Sequence, residues 1–337
     1  MDPNALAAWY GEHARDLPWR ATSDPWSVLL SEILLQQTQV ARGIEYWQRL
    51  VERFPTPSSM AEAPLEDVMH LWQGAGYYAR GRRLHELAKV VCDPAGPWKG
   101  RLPSPDACED VVKALQGLPG IGPYTAAAVA SIAYDLPSAV VDGNVRRVVA
   151  RRGALPTPSP KHVQEVADRW MMDAFEDGIA PSVWNQAVME LGATLCRPKG
   201  VKCGKCPVQA GCEGFGHEGG PEGFPLPAAR RVQTERLVAV VDLDVHGRAM
   251  LEQRPDGARF GGLWGPIMHE ASSEEADKAR DTRESVGHLV HHLSHRRLEV
   301  EVLLGRCEAG AIDRPMSNLD QRVLELAQAA AHERASK

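Results

Sequence analysis

Four cysteines crowd into one short stretch of the chain: Cys196, Cys203, Cys206 and Cys212, spaced C-x6-C-x2-C-x5-C. Thiolates converging from one loop can hold a tetrahedral zinc ion or the corners of a [4Fe-4S] cluster. Zinc modules usually pair two C-x2-C knuckles, or mix Cys with His. With a single knuckle and longer outer gaps, this spacing favours the cluster. The other cysteines, Cys92, Cys108 and Cys307, are scattered, which is not the even framework of a secreted disulfide protein. Arg197, Lys199, Lys202 and Lys205 surround the group. Their charge suits phosphates, and it also compensates the thiolates.

A second constellation is Leu118 to Thr125, LPGIGPYT. Gly120 and Gly122 allow a tight turn that exposes consecutive N–H groups at the start of the next helix, where the dipole favours a phosphate. Alone, such a GxG is more often a corner between helices. Here it is followed by an apolar helix and then by VDGNVRRVVARR, whose Arg146, Arg147, Arg151 and Arg152 form a basic cluster; Arg80, Arg82 and Arg83 form another. The net charge of the 337-residue chain is -6, which argues against a nucleic-acid partner. Focused positive charge weakens that objection.

The elements that must carry these residues are helical for the first two thirds. Val28 to Phe54 reads as one long helix or two in succession, and similar spacing recurs over Arg80–Val91, Glu109–Leu115, Tyr124–Ala133, Val145–Arg151, His162–Met172 and Pro181–Leu195. Short Pro- and Gly-containing breaks separate them, as in an all-α domain over residues 1–215 with the cysteine loop at 196–212. A Gly- and Pro-rich stretch, 216–231, reads as a linker. The period then changes: ERLVAVVDLDV, a His246-Gly247 turn and Ala249–Gln253 suggest a β-hairpin, and RLEVEVLL alternates again. A closing helix from Asp320 to about His332 completes a smaller α+β domain over 232–337. No apolar run approaches the roughly 20 residues of a membrane span, and the N-terminus carries no basic leader or apolar signal core. A cytoplasmic monomer without membrane association is expected.

These motifs resemble the helix-hairpin-helix DNA glycosylase superfamily with its iron-sulfur loop. The hairpin LPGIGPYTA, the segment Val141–Arg147, Trp184-Asn185-Gln186-Ala187 and the four-cysteine loop occur in the superfamily's order across almost all of residues 1–215. LPWR at 17–20, SEILLQQTQV at 31–40 and GAGYYAR at 74–80 narrow the resemblance to MutY-type adenine DNA glycosylases. The resemblance implies base excision repair at the nucleoid. Its partner would be double-stranded DNA in which adenine faces 8-oxoguanine or guanine, and its cofactor a [4Fe-4S] cluster.

Breaking an N-glycosidic bond puts positive charge on the sugar and negative charge on the base, so the site needs an acid and a nearby anion. Glu32, in an otherwise apolar segment, is suited to have its pKa raised by desolvation. Taken alone, a Glu at a helix start is a cap or a solvated face, and Asp142 before Gly-Asn is an N-cap. The resemblance implies that Glu32 protonates adenine at N7 and that Asp142 stabilises the oxocarbenium ion or forms a transient adduct with the sugar. Tyr124 stands where strand-cleaving relatives carry a Lys that forms a Schiff base, which implies hydrolysis leaving an abasic site. Tyr124 and Asn144 would support Asp142 or water. Gln37 and Tyr77 match residues that wedge into the duplex, and Arg20 and Gln186 match the adenine pocket; Gly120, Gly122 and Arg146 are the further DNA-binding candidates. A mismatch-specific thymine glycosylase and a non-catalytic lesion sensor are the alternatives.

In the second domain, FGGLWGP at 260–266 and HHLSH at 291–295 resemble a lesion-reading domain that shares its fold with Nudix hydrolases. The acidic run after Trp264 lacks the REx2EExG spacing of a working Nudix metal site, so it reads as a solvated helix or loop. The family's lesion-reading turn is Phe-Ser-His; here it is Leu293, Ser294 and His295, with apolar support in place of an aromatic contact. His291, His292 and His295 suit metal chelation poorly, because neighbours alternate faces.

Overall fold

The computed structural model describes residues 1–227, 232–255, 257–293, 296–311 and 314–335. Its helices run, in chain order, α1 (Pro3–His13), α2 (Pro25–Leu34), α3 (Val40–Arg53), α4 (Pro57–Glu62), α5 (Leu65–Trp72), α6 (Ala79–Cys92), α7 (Val111–Gln116), α8 (Pro123–Tyr134), α9 (Gly143–Arg152), α10 (Pro160–Glu176) and α11 (Pro181–Thr194). Proline starts α1, α2, α4, α8, α10 and α11, where its fixed φ suits the first turn and its missing N–H costs nothing. Asp2, Asp24, Asp110, Asp142 and Ser159 cap their helices by accepting a first-turn N–H.

The apolar stretch Val28–Phe54 is two helices. A turn at 35–39 separates them, and Gln37 within it has a φ of 61°, a left-handed conformation that no helix continues through. Every residue of α2 from Trp26 to Leu34 is buried, because α2 lies against both α3 and α8. Helix α11 packs against α1, α8, α9 and α10 around Val145, Val149, Val163, Met171, Trp184 and Leu191. Helices α1 and α4 carry little apolar periodicity, and the short α5 was missed although Leu65, Val68, Met69 and Trp72 follow the helical spacing.

The stretch after Cys212 is held to the helical part rather than standing free. It forms a short helix, α12 (Glu213–Gly216); Arg151 Nε donates to the Phe224 carbonyl at 2.9 Å, and the Leu226 N–H donates to the Pro156 carbonyl at 2.8 Å. Gly214 lies so close that a Cβ there would stand 2.3 Å from the Arg151 carbonyl oxygen.

The remaining elements are β1 (Gln233–Leu243), β2 (Glu252–Gln253), β3 (Trp264–Gly265), β4 (Ile267–Glu270), α13 (Glu274–Thr282), β5 (Glu284–His292), β6 (Arg296–Arg306) and α14 (Asn318–Ala335). Four strands form a sheet in the order β4-β1-β6-β5, with β1 and β6 parallel and the outer pairs antiparallel. Alternation along β1 sends Leu237, Ala239 and Val241 to one face, against α14, and Val238 and Val240 to the other, against α13. The acidic run after Trp264 is thus a helix followed by β5, a strand the sequence did not betray. The compact units are Met1–Ala63 with Arg83–Pro227, and Pro64–Arg82 with Ala228–Lys337. Among the described residues no helix is long and apolar enough to cross a membrane.

Candidate active site

A cleft of about 1170 Å³ opens in the helical unit, and Glu32, Tyr124, Asp142, Asn144, Arg20 and Gln186 all line it. Glu32 sits in the last turn of α2 rather than at a helix start, and is only 8% exposed. Burial pushes its carboxyl up to about 7; the Tyr124 hydroxyl opposes the shift and the Asp142 charge adds to it. Tyr124, the second residue of α8, donates its hydroxyl proton to Glu32 Oε2 at 2.6 Å, and its own pKa is driven well above the phenol value by burial and by Glu32. Tyr124 was expected to support Asp142 or water; its hydroxyl faces Glu32.

Asp142 is the N-cap of α9. Its Oδ1 accepts the Val145 N–H at 2.7 Å and its Oδ2 accepts from Asn144 Nδ2 at 2.7 Å, so Asn144 does reach Asp142. Burial raises its pKa, and these hydrogen bonds with the Arg147 charge counter the rise. A carboxyl group whose pKa is pushed up to about 7 and a second, hydrogen-bonded carboxyl group share one cleft, an arrangement suited to acid-assisted bond cleavage.

At the cleft's other wall, Arg20 Nη2 meets Glu190 Oε2 at 2.7 Å, and Arg15 grips the same carboxylate through Nε at 2.7 Å and Nη2 at 2.9 Å. Burial alone would raise the Glu190 pKa, but the two guanidiniums outweigh it and hold the carboxyl below the usual range. Arg20 also lies over the Tyr10 ring, and the Tyr10 hydroxyl donates to Gln186 Oε1 at 3.2 Å. Sequence reasoning missed Glu190 and Tyr10. The available signal was a Glu inside the apolar helical run AVMELGAT, the same kind of signal that singled out Glu32.

The wedge and backbone candidates fall in different settings. Gln37 and Arg146 are exposed and line the cleft. Gly120 needs its φ of 78°, and a Cβ there would stand 2.9 Å from the Arg83 side chain; Gly122 is the N-cap of α8. In the second unit Tyr77 has a φ of 48° and is 45% exposed. Leu293 is half-buried against the sheet core, and its N–H donates to the Arg296 carbonyl; Ser294 and His295 lie outside the described residues.

The basic face expected along α9 is corrected. Arg147 donates to the Cys196 carbonyl at 2.8 Å, to Gly192 at 2.7 Å and to Asn144 Oδ1 at 2.8 Å. Arg151, 2% exposed, serves the carbonyls of Cys196, Arg197, Pro198 and Phe224, and Arg152 those of Val208 and Ala210. Loop carbonyls without helical partners consume these guanidiniums. Of the four arginines, Arg146 lines the cleft.

All four cysteines of the loop line one small cavity of about 40 Å³, with Arg151 Nη1 at 3.6 Å from Cys196 Sγ. Burial raises the Cys203 and Cys206 thiols, and the other cysteines of the set raise them further. Among the described residues no three His, Cys, Asp or Glu side chains are disposed to hold a single metal ion.

Fold and cleft together define a helical DNA base-excision enzyme. The model of the HhH-GPD superfamily of base excision DNA repair proteins matches residues 30–172. The rat adenine DNA glycosylase is 34% identical over 88% of this chain and 69% of its own length; that of Mycobacterium tuberculosis is 40% identical over 71% and 76%. Among solved structures, a thermostable thymine-DNA glycosylase superposes with a TM-score of 0.53 at 28% identity, covering 60% of this chain and 90% of its own. A trapped endonuclease III–DNA intermediate gives 0.50 at 23%, covering 66% and 93%, a likeness of fold. The chain belongs to the adenine DNA glycosylase family and is a DNA N-glycosylase.

Proposed function

We propose that this enzyme excises adenine mispaired with 8-oxoguanine or guanine in base excision repair, by hydrolysis that leaves the strand intact. The observation that carries the reading is the Glu32 carboxyl, held near pH 7 by burial, sharing a cleft with the hydrogen-bonded Asp142. Glu32 gives its proton to N7 of the extruded adenine as the C1′–N9 bond breaks, and the bonding electrons leave with the base. The cation that develops on the sugar is met by the Asp142 carboxylate, through charge or through a transient ester, and water completes the reaction at C1′. Tyr124 returns a hydrogen bond to the Glu32 carboxylate so formed. A phenol cannot form a Schiff base, which is the basis for excision without strand cleavage. Arg20, paired with Glu190, and Gln186, joined to Arg20 through Tyr10, are read as one wall of the adenine pocket.

Gln37 and Tyr77 are read as the duplex wedges, Gly120, Gly122 and Arg146 as strand contacts, and the Leu293-Ser294-His295 turn of a Nudix-like domain as the reader of the opposing lesion. Cys196, Cys203, Cys206 and Cys212 are read as the ligands of a [4Fe-4S] cluster, a reading supported by their spacing and by their lining one small cavity beside Arg151. Bound there, the cluster would brace the loop covalently and spread the thiolate charge.

The test is excision from duplexes holding adenine opposite 8-oxoguanine, with product revealed by alkali. Wild type cuts only after alkali, and Glu32→Gln falls by about a thousandfold. Equal rates in both remove the acid role. Nicking without alkali overturns the hydrolytic reading, and release of thymine from G:T pairs without release of adenine overturns the substrate.

A further inference from the structure

Three contacts distant in sequence bind the segment 64–82 to the sheet-bearing part of the second unit. Arg314 Nη1 pairs with Glu66 Oε1 of α5 at 2.7 Å while its guanidinium lies 4.8 Å from the centre of the Trp264 ring. The Tyr78 hydroxyl reaches the Met316 carbonyl at 3.5 Å and accepts the Gly74 N–H at 3.2 Å. Gly262, at a φ of 77°, closes on Arg82 so tightly that a Cβ would stand 2.9 Å from its Cδ. Strand β3 is in turn joined to this group: the Trp264 N–H donates to the Pro315 carbonyl, and Trp264 bridges Met316. Tyr77 lies in the middle of the gripped turn, exposed and left-handed, with Arg80 against its ring at 5.5 Å.

A left-handed non-glycine residue persists where its surroundings over-determine it; the flanks of the Tyr77 turn are held by Met316 against Tyr78, Gly262 against Arg82 and Arg314 against Glu66. We propose that Arg314, held between Trp264 and Glu66, is a positioning residue that makes the Tyr77 turn part of the opposite-base reader. On this view sensing of the opposing base and insertion of Tyr77 are one event. The proposal rests on the reading of Tyr77 as a duplex wedge.

The test is a charge swap in the full chain: Glu66→Arg, Arg314→Glu and the double variant, with Tyr77→Ala as reference. Two readouts are taken: the single-turnover preference for adenine opposite 8-oxoguanine over adenine opposite guanine, and emission of 2-aminopurine set beside the opposing base. Each single reversal lowers the preference and the emission rise by about fivefold, and the swap restores most of both. Loss of activity on both duplexes alike, with no recovery in the double variant, makes the pair structural only and overturns the proposal. So does an effect of Tyr77→Ala on emission that neither reversal shares. Unchanged emission in Tyr77→Ala removes the wedge reading itself, and the coupling with it.

Discussion

The two carboxylates of the cleft sit at opposite kinds of helix end. Glu32 occupies the last turn of α2, where the carbonyl end of the helix disfavours negative charge, in a helix buried on every side, with Tyr124 as its hydrogen-bond donor. Asp142 caps the first turn of α9, where free N–H groups favour negative charge; it accepts from Val145 and Asn144, with Arg147 close by. Burial raises both pKa values; the donors around Asp142 and the Arg147 charge oppose its rise, while the Glu32 carboxyl is pushed up to about 7. Helix polarity and donor count thus set two carboxyl groups of one cleft in different environments, which is what the proposed division into an acid and a cation stabiliser needs.

Removing the charge at the α9 end tests this division most severely. Asp142→Asn keeps one oxygen to cap Val145 but loses the acceptor for Asn144 and cannot face a cation as an anion, and single-turnover excision should fall by about a thousandfold or more with DNA affinity retained. A loss confined to affinity would mean that Asp142 acts only as a cap.

At the far end of α9, arginines of the same helix are spent on the cysteine loop and the segment after it. Arg151→Met strands the carbonyls of Cys196, Arg197, Pro198 and Phe224, and should cost about 3 kcal/mol in denaturant unfolding. An unchanged midpoint would mean that solvent replaces those bonds.

The α2 end gives the opposite sign. The folded pKa of Glu32 lies above its ordinary value of 4.5, so ionisation costs stability progressively as pH rises from there to about 7, beyond which the cost is constant. Glu32→Gln should therefore stabilise the fold at pH 8 by on the order of 3 kcal/mol, and by almost nothing at pH 4. The difference in unfolding free energy measured at the two pH values checks it. A variant less stable at both would mean that the carboxylate is well accommodated.

How much of this was legible follows the same divide. Long apolar periodicity announced α2, α8, α9 and α11, and a Glu inside an apolar run announced Glu32. Helix α1 was missed because its single fully buried residue, Leu6, leaves no stripe to read. The arginines of α9 misled because a row of guanidiniums looks the same whether its partners are phosphates or loop carbonyls. Only the fold of the cysteine loop decides between them. The Tyr124 hydroxyl was read as supporting Asp142 or water, because spacing cannot say which of two carboxylates a phenol on α8 will face.

Tyr124 offers the finest test of the comparison, because it is the donor that moves the α2 end toward the α9 end. Its hydroxyl stabilises the ionised form of Glu32, opposing the burial that holds the proton on. Tyr124→Phe removes that donor with little change of shape, so the pH at which excision declines should move upward from about 7. The low-pH plateau should fall at the same time, by about tenfold, because the carboxylate left after proton transfer loses its partner. These two shifts run in opposite directions at alkaline pH, and their combination is specific: a plain packing defect lowers the plateau without moving the pH midpoint. A midpoint that moves downward would mean that Tyr124 donates mainly to Asp142, and the two helix ends would then be less distinct than their hydrogen bonds make them.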